Sequence, residues 1–436
     1  MSIPVVTVGQ SREDLVGGLE RLHGPVTVVR RCSELTELLA ACQSGLARAA
    51  VVAEGSDELT ASLVDRLAAV GVVIVALTDS ASETARLLSI GVTAAPAGVD
   101  SAALAGRISG AVEQWSRPKP FQAGDSGYAD TGSAIRTQPG AEDNVPAEPS
   151  GAGKLIAVWG PAGSPGRTLV AANMAGELAA AGHSVVLIDA DSYGASVAGL
   201  LGLLDESAGL AQACRLADLG QLDAGALLKV ATPVALKSGT LRILTGITRA
   251  DRWTELRASA LGVVFAKARE TADYVVVDTG FCLEADEELS FDTMAPRRNA
   301  ATLRSLELAD TVYAVGSADS IGVPRLVRGL SELEAAVPQA APRVILNKVR
   351  ASAAGRSPER QLRDAWERYG PSAAIAGFLP SDSAATDSAL LSGSLLLEAA
   401  PHSGLRLAIA ELVCAPVQRN HRSSVLSSTA RRWLKG

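Results

Sequence analysis

Residues 154–170 read KLIAVWGPAGSPGRTLV, and the reading of this stretch decides the fold. Leu155 to Trp159 make a short apolar run rich in branched residues, as a buried strand requires, and Gly160 to Gly166 then place Gly and Pro where a helix would not accept them. From Arg167 the apolar spacing turns helical. A strand that runs through a Gly-rich turn into a helix N-terminus gathers backbone N–H groups and the positive end of the helix dipole at one point, which suits a phosphate chain.

Against the pattern G-x-x-x-x-G-K-[ST], the segment PAGSPGRT puts Pro161 at the first Gly, Gly166 at the second, Arg167 at the Lys and Thr168 at the magnesium-binding hydroxyl. Pro161 and Arg167 depart from it, so the loop has to be judged with its neighbours. An apolar strand from Ser184 to Ile188 runs into Asp189, Ala190 and Asp191, and a second from Tyr274 to Val277 ends in Asp278. Doubly wound sheets place their ligand crevice at the carboxyl ends of such strands. A nucleotide site needs one acid there to hold magnesium and another to orient an attacking water.

With these segments in this order, the chain resembles the ParA/MinD superfamily of P-loop ATPases, and within it the CpaE/TadZ-like branch. The likeness spans Lys154 to about Val417: the loop, LIDAD ending at Asp191, VVVDTG around Asp278, ILNKV around Asn347 and FLPSD around Asp382. It implies a doubly wound, mainly parallel α/β sheet with a deviant P-loop, binding ATP and Mg²⁺. Gly163, Ser164, Pro165, Gly166, Arg167, Thr168 and Leu169 would cradle the phosphates. Thr168, Asp189 and Asp278 would serve the metal, and Arg167, Asp189 and Asp191 the chemistry, with the division of labour between the two Asp residues left open. The likeness further assigns Asn347 to the adenine edge, Pro380 and Asp382 to a loop over the base, and Thr279-Gly280 to a switch that senses the γ-phosphate.

The departures have consequences of their own. Arg167 keeps the charge of the expected Lys, but its planar fork is bulkier than an ammonium. Ala162 stands where the family has the lysine that reaches across the dimer, and Pro161 and Pro165 remove backbone donors. Phosphoryl transfer depends on positioning and charge stabilisation, so the expectation is nucleotide binding with slow or lost hydrolysis. The competing class is an ATPase that turns over.

Residues 1–116 alternate short strands and helical patterns, with strands at Val5–Val8, Val26–Val29, Ala50–Ala53 and Val72–Leu77, which implies a small parallel sheet covered by helices. This part resembles a receiver domain, but Gly9 and Gln10 follow the first strand, Ala53 and Glu54 end the third, and TAAPAG carries no Lys. Phosphorylation would lack both its magnesium site and its acceptor. A pseudo-receiver used for docking or dimerisation is one reading, and a purely structural unit the other. Residues 117–153 are rich in Pro, Gly, Ser, Ala and Asp and read as a flexible linker. Residues 154–418 form the nucleotide-binding domain and 419–436 a basic tail.

Aromatic residues make up only 3% of the 436, so the cores must be built from Ala, Val and Leu. The five cysteines are scattered, with no C-x-x-C pair, and read as reduced thiols. No signal-like or membrane-spanning run is present, and the expected location is cytoplasmic. Between Phe281 and Arg304, Glu284, Asp286, Glu287, Glu288 and Asp292 precede Arg297 and Arg298, a pattern that suits a partner surface better than a metal site. The tail carries Arg419, Arg422, Arg431, Arg432 and Lys435, with Val425, Leu426, Thr429 and Trp433 at helical spacing. It reads as a frayed basic tail, or as a peripheral contact with the inner face of the cell membrane.

Three functions fit this reading. One is a regulator that places a pilus or secretion assembly machine through nucleotide-dependent homodimerisation. The others are a septum-site-determining ATPase with cell-division partners, and a DNA-partition ATPase. The net charge of −7 weighs against DNA as the partner.

Overall fold

The computed structural model describes residues 2–9, 15–22, 24–116, 153–203, 208–237, 239–285 and 296–414. Two sheets organise them. The first consists of β1 (Ile3–Val8), β2 (Val26–Cys32), β3 (Ala49–Val52), β4 (Val73–Leu77) and β5 (Thr93–Ala95), in the order β2-β1-β3-β4-β5 and parallel throughout. That is the order of flavodoxin-like doubly wound sheets. Val6, Val8, Val52 and Ile74 pack on one face and Val5, Val51 and Val75 on the other, so the strands are apolar on both sides, as a helix-covered parallel sheet demands.

The second sheet has β6 (Lys154–Trp159), β7 (Val185–Ala190), β8 (Thr232–Ala235), β9 (Thr240–Leu244), β10 (Tyr274–Thr279), β11 (Thr311–Ser317), β12 (Pro342–Val349) and β13 (Ile375–Pro380). Their order is β13-β12-β11-β6-β10-β7-β9-β8, and every pairing is parallel except β8 with β9. Sequence reading misses β8. Its Pro233 is tolerated because β8 lies at the sheet edge, where one side of the strand has no ladder to serve. Asp189 and Asp278 fall inside their strands rather than just beyond them, because pairing of β7 with β10 continues to the Ala190–Thr279 step.

Alternation along β6 assigns its residues to two cores. Ile156 and Val158 pack with the helix Arg167–Ala180 and with Ile409 of the helix Gly404–Cys414. Leu155 faces Ala213, Leu261 and Phe265, while Ala157 and Trp159 face Leu326, Leu330 and Trp366. The helix after the loop is buried from Val170 to Ala179 without interruption, so it has no solvent face to lose. Ala, Val and Leu dominate these cores, as the scarcity of aromatics requires.

The strand order also fixes where a ligand crevice opens. From β6 the chain passes to β7 on one side with β10 between them, whereas from β10 it crosses to β11 on the other side of β6. The switch point therefore lies at the carboxyl ends of β6 and β10, where residues 160–168 and Asp278 sit. The helix Ala61–Ala69 beside the first sheet packs against the helices Gly209–Asp218 and Ala258–Thr271 of the second.

Candidate functional site

The loop after β6 takes its path from three left-handed residues: Gly163 at φ 107°, Ser164 at φ 52° and Gly166 at φ 95°. Only glycine fits at Gly166, since a Cβ there would also come within 2.5 Å of Asn347 Nδ2. Gly160 lies against β11 so closely that a Cβ would stand 2.2 Å from the Val315 carbonyl oxygen. Ala162, Gly163 and Ser164 are exposed at the tip, and Pro165 is buried.

Four side chains from three elements hold the loop by its carbonyls. Arg167 Nη1 donates to Gly160 O at 3.0 Å and Pro161 O at 3.3 Å, and Nε to Thr279 O at 3.1 Å. Its Nη2 meets Asp191 Oδ2 at 3.3 Å, and the side chain is only 12% exposed. Arg325 Nη1 donates to Ala162 O at 3.2 Å, Lys348 Nζ to Ser164 O at 2.8 Å and Asn347 Nδ2 to Pro165 O at 2.8 Å. Amides of the loop and of the first helical turn are the groups that remain for an anion, Pro161 and Pro165 contributing none.

Two acids lie side by side at the strand ends. Asp278 of β10 is the register partner of Asp189 of β7, so the two side chains share a face on strands about 4.8 Å apart. Asp189 is buried, with Oδ2 accepting from Ser196 N and Val197 N at 2.9 Å and Oδ1 from Asp191 N at 3.3 Å. Burial pushes its carboxyl up to about 6 against those bonds, which pull the other way. Asp278 is wholly buried, and neither of its oxygens has a hydrogen-bond partner. Burial and then the charge of Asp189 raise it well above the ordinary carboxylate range. The Thr168 hydroxyl and the Arg167 charge offset that only in part, the hydroxyl falling short of hydrogen-bond geometry.

Asp191 turns its other oxygen to the amides of Tyr193 at 2.9 Å and Gly194 at 3.1 Å, closing a short Asx-type turn. Beyond it the Tyr193 hydroxyl is bonded to Asn299 at 2.9 Å, and Arg298 stacks over the Tyr193 ring at 4.2 Å. Asp286, Glu287, Glu288 and Asp292 lie outside the described residues, as does the basic tail from Arg419.

The structure thus brings together Gly163 to Thr168, Asp189, Asp191 and Asp278. Asn347 reaches the same place but spends its amide locally, one nitrogen bond on Pro165 O and its oxygen on Lys348 N at 2.7 Å. Leu169 packs into the core, and its carbonyl accepts from Asn173 at 2.8 Å. Pro380 closes β13, and Asp382 caps the helix Ser383–Ser392 by accepting from Ala385 N at 3.0 Å. Sequence reading passed over Arg325 and Lys348, although Lys348 stands inside the quoted ILNKV segment. Nothing local marks Arg325, which arrives from the helix Gly322–Ala336.

Among the described residues no group of three or more His, Cys, Asp or Glu could enclose a metal ion. Magnesium in nucleotide sites asks for less, one or two carboxylates with phosphate oxygens and waters. A buried carboxylate with two unpartnered oxygens beside a threonine hydroxyl fits that donor set.

The same segment aligns with a family model described as the CobQ/CobB/MinD/ParA nucleotide binding domain, which matches residues 156–392, more than half of the chain. No curated protein matches it. A ParA family ATPase from Chlorobium tepidum is 19% identical and aligns over 61% of this chain and 100% of its own, with a TM-score of 0.50. The cell division ATPase MinD of Pyrococcus furiosus is 18% identical over 60% of this chain and 97% of its own, at 0.46. At such identities the likeness speaks for the fold alone. The family model, the sheet order and the loop with its strand-end acids agree, and the chain belongs to the CobQ/CobB/MinD/ParA family of nucleotide-binding domains.

Proposed function

We propose that the chain is a CpaE/TadZ-like spatial regulator that binds ATP with Mg²⁺, dimerises in a nucleotide-dependent way to position a pilus or secretion assembly machine, and hydrolyses ATP slowly or not at all. The observation that carries this reading is the commitment of Arg167. All three of its guanidinium nitrogens are engaged, with Gly160 O, Pro161 O, Thr279 O and Asp191, so the cation holds the loop's own framework. Ala162 adds no charge at the exposed tip.

The retained groups support binding. Loop amides and the first turn of the helix Arg167–Ala180 would take the phosphates, and the Thr168 hydroxyl and the Asp278 carboxylate would hold the metal. Mg²⁺ bound with a triphosphate neutralises charge on the phosphate oxygens. Asp189, fixed by three backbone donors, keeps the second carboxylate in place beside Asp278. Asp191, tied to Arg167, links the loop to the turn at Tyr193 and Gly194.

The division into residues 1–116, a linker 117–153, a nucleotide-binding domain 154–418 and a tail 419–436 belongs to the same proposal. The receiver-like strand order of the first sheet favours the pilus-positioning branch over a septum-site regulator or a DNA-partition ATPase. Among the described residues no helix is long and apolar enough to cross a membrane. ATP affinity with and without Mg²⁺, measured on the full chain and on Thr168→Ala and Asp278→Ala, tests the site. The expected result is a magnesium-dependent gain that both variants lose. ATP turnover rising steeply with protein concentration would overturn the slow-hydrolysis reading.

A further inference from the structure

The helix Gly209–Asp218 ends in a charge that it does not favour. Asp218 is its last residue, where unsatisfied carbonyls make the negative end of the dipole and an acid is repelled. The carboxylate turns instead to the first sheet. Its Oδ1 accepts from Ser62 N at 2.8 Å and also from the Ser62 hydroxyl, and Ser62 is the second residue of the helix Ala61–Ala69. An acid of the nucleotide-binding part therefore sits at the positive end of a helix that covers the other sheet.

The reverse contact lies beside it. Arg86 Nη1 donates at 3.3 Å to Leu219 O, the C-cap carbonyl of the helix Gly209–Asp218, and Ser89 Oγ reaches Gly220 O at 3.4 Å. Arg86 is held ready by Glu83, at 2.8 and 2.7 Å, and by the Ser56 and Leu59 carbonyls, at 2.6 and 2.9 Å. Gly220, at φ +67°, lets the turn come close, since a Cβ there would meet Arg86 Cγ and Ile90 Cγ2 at 2.9 Å. Each part thus supplies the charge that suits the other's helix end.

The far end of the same helix leads to the candidate site. Gly209 N donates to Thr245 Oγ1 at 3.0 Å and Leu210 N to Thr245 O at 2.9 Å. The next residue, Gly246, packs on the buried acid, its Cβ position being 2.9 Å from Asp189 Cγ. One rod about 15 Å long at 1.5 Å per residue joins the docking turn to the surroundings of Asp189.

We propose that the face of the first sheet carrying Ser62 and Arg86 is a regulatory docking surface for the Asp218–Gly220 helix end of the same chain, and that docking strengthens magnesium–nucleotide binding by keeping Gly246, next to the helix-bonded Thr245, packed against Asp189. The coupling rests on the reading of the site given above, whereas the docking surface does not. By linkage, bound nucleotide strengthens docking by the same factor.

Two charge changes in the full chain test it, each suited to its own helix. Asp218→Lys puts a cation at a helix C-terminus and Ser62→Asp an acid at a helix N-terminus, yet each single change sets like charges against each other or against the facing dipole. Hydrogen exchange of the Ser62 amide reads docking without nucleotide, and titration with ATP and Mg²⁺ reads the site. Each single variant is expected to lose amide protection and at least fivefold in Mg-ATP affinity, with both restored in the double variant. Protection retained in the single variants overturns the docking surface. Lost protection with unchanged affinity overturns the coupling. A wild-type chain that binds no ATP at millimolar concentration overturns the coupling together with the nucleotide reading, and the exchange measurement, which needs no ligand, tells that failure from the others.

Discussion

Replacing Asp278 by Asn removes an ionisable group from a place where burial, and then the charge of Asp189, disfavours its ionised form. A carboxyl whose pKa is raised in the folded chain holds its proton after the unfolded chain has released one. Stability contributed in this way is complete below the unfolded value of 3.8 and falls as pH rises toward the folded value, by up to about 1.4 kcal/mol per pH unit. Asp189, raised from 3.8 to about 6, accounts for a loss of about 3 kcal/mol across that window, and the loss is common to wild type and Asp278→Asn. Asp278 adds a decline that starts from the same unfolded value of 3.8 and continues upward, and the variant should lack it. The melting temperatures of the two nucleotide-free proteins should therefore diverge as pH rises above 3.8, the wild type falling more steeply than the variant, at about 2–4 °C per kcal/mol for a domain of this size. The assay is thermal unfolding at half-unit steps from pH 4.5 to 8, followed by repetition with Mg-ATP. Ligand at a hundredfold excess over its dissociation constant should add about 2.7 kcal/mol to the wild type and little to the variant. Curves that run parallel over the whole range would show that Asp278 is satisfied in a way its two unpartnered oxygens do not reveal.

Arg167→Lys exchanges a four-way brace for a single ammonium and should lower nucleotide-free stability by about 1–3 kcal/mol while raising phosphate release from ATP; a variant no faster than wild type would separate slow turnover from the guanidinium. Arg406→Met removes the two-pronged pairing of Arg406 with the buried Glu177 at 2.6 and 2.7 Å, and urea unfolding should show a loss of about 3 kcal/mol; a loss under about 1 kcal/mol would mean that water replaces the guanidinium. Asp382→Ala should lower stability by about 1 kcal/mol through the lost cap of the helix Ser383–Ser392, with ATP affinity reporting separately whether Asp382 also serves the base. Among the described cysteines, half-buried Cys282 should react first with a thiol reagent, whereas Cys42, pushed by burial up to about 12, and the buried Cys214 should react only on unfolding.

Strand identity was legible wherever an apolar run stood alone. The runs at Leu155 and Tyr274 are continuous because both faces of a parallel strand are covered, and that pattern depends on no distant partner. The strand Thr232–Ala235 was not legible. It is short, its burial alternates with solvent, and it exists because β9 offers it an edge. Loop residues could likewise be picked out as a set, since the turn and the helix start are local.

What the side chains of that set do was a different matter. Arg167 invites the reading of a phosphate-reaching cation, but its bonds run to Gly160, Pro161, Thr279 and Asp191, groups that come together only when β6, β7 and β10 pair in register. Asn347 braces Pro165 because β12 ends level with the loop, and Arg325 arrives from a helix more than 150 residues along the chain. Asp218 gave no sign in sequence at all, since an acid at a helix end is explained only by the helix that meets it.

By itself, then, the sequence determined the class of fold, the position of the loop and which acids end which strands, because these rest on periodicity and on backbone preferences that act within a few residues. Tertiary structure alone decided that Asp189 and Asp278 stand side by side, that Arg167 is spent on the loop's carbonyls and that the two sheets meet through exchanged helix-end charges. Burial and hydrogen-bond partnership are properties of pairs distant in the chain, and no local pattern encodes them.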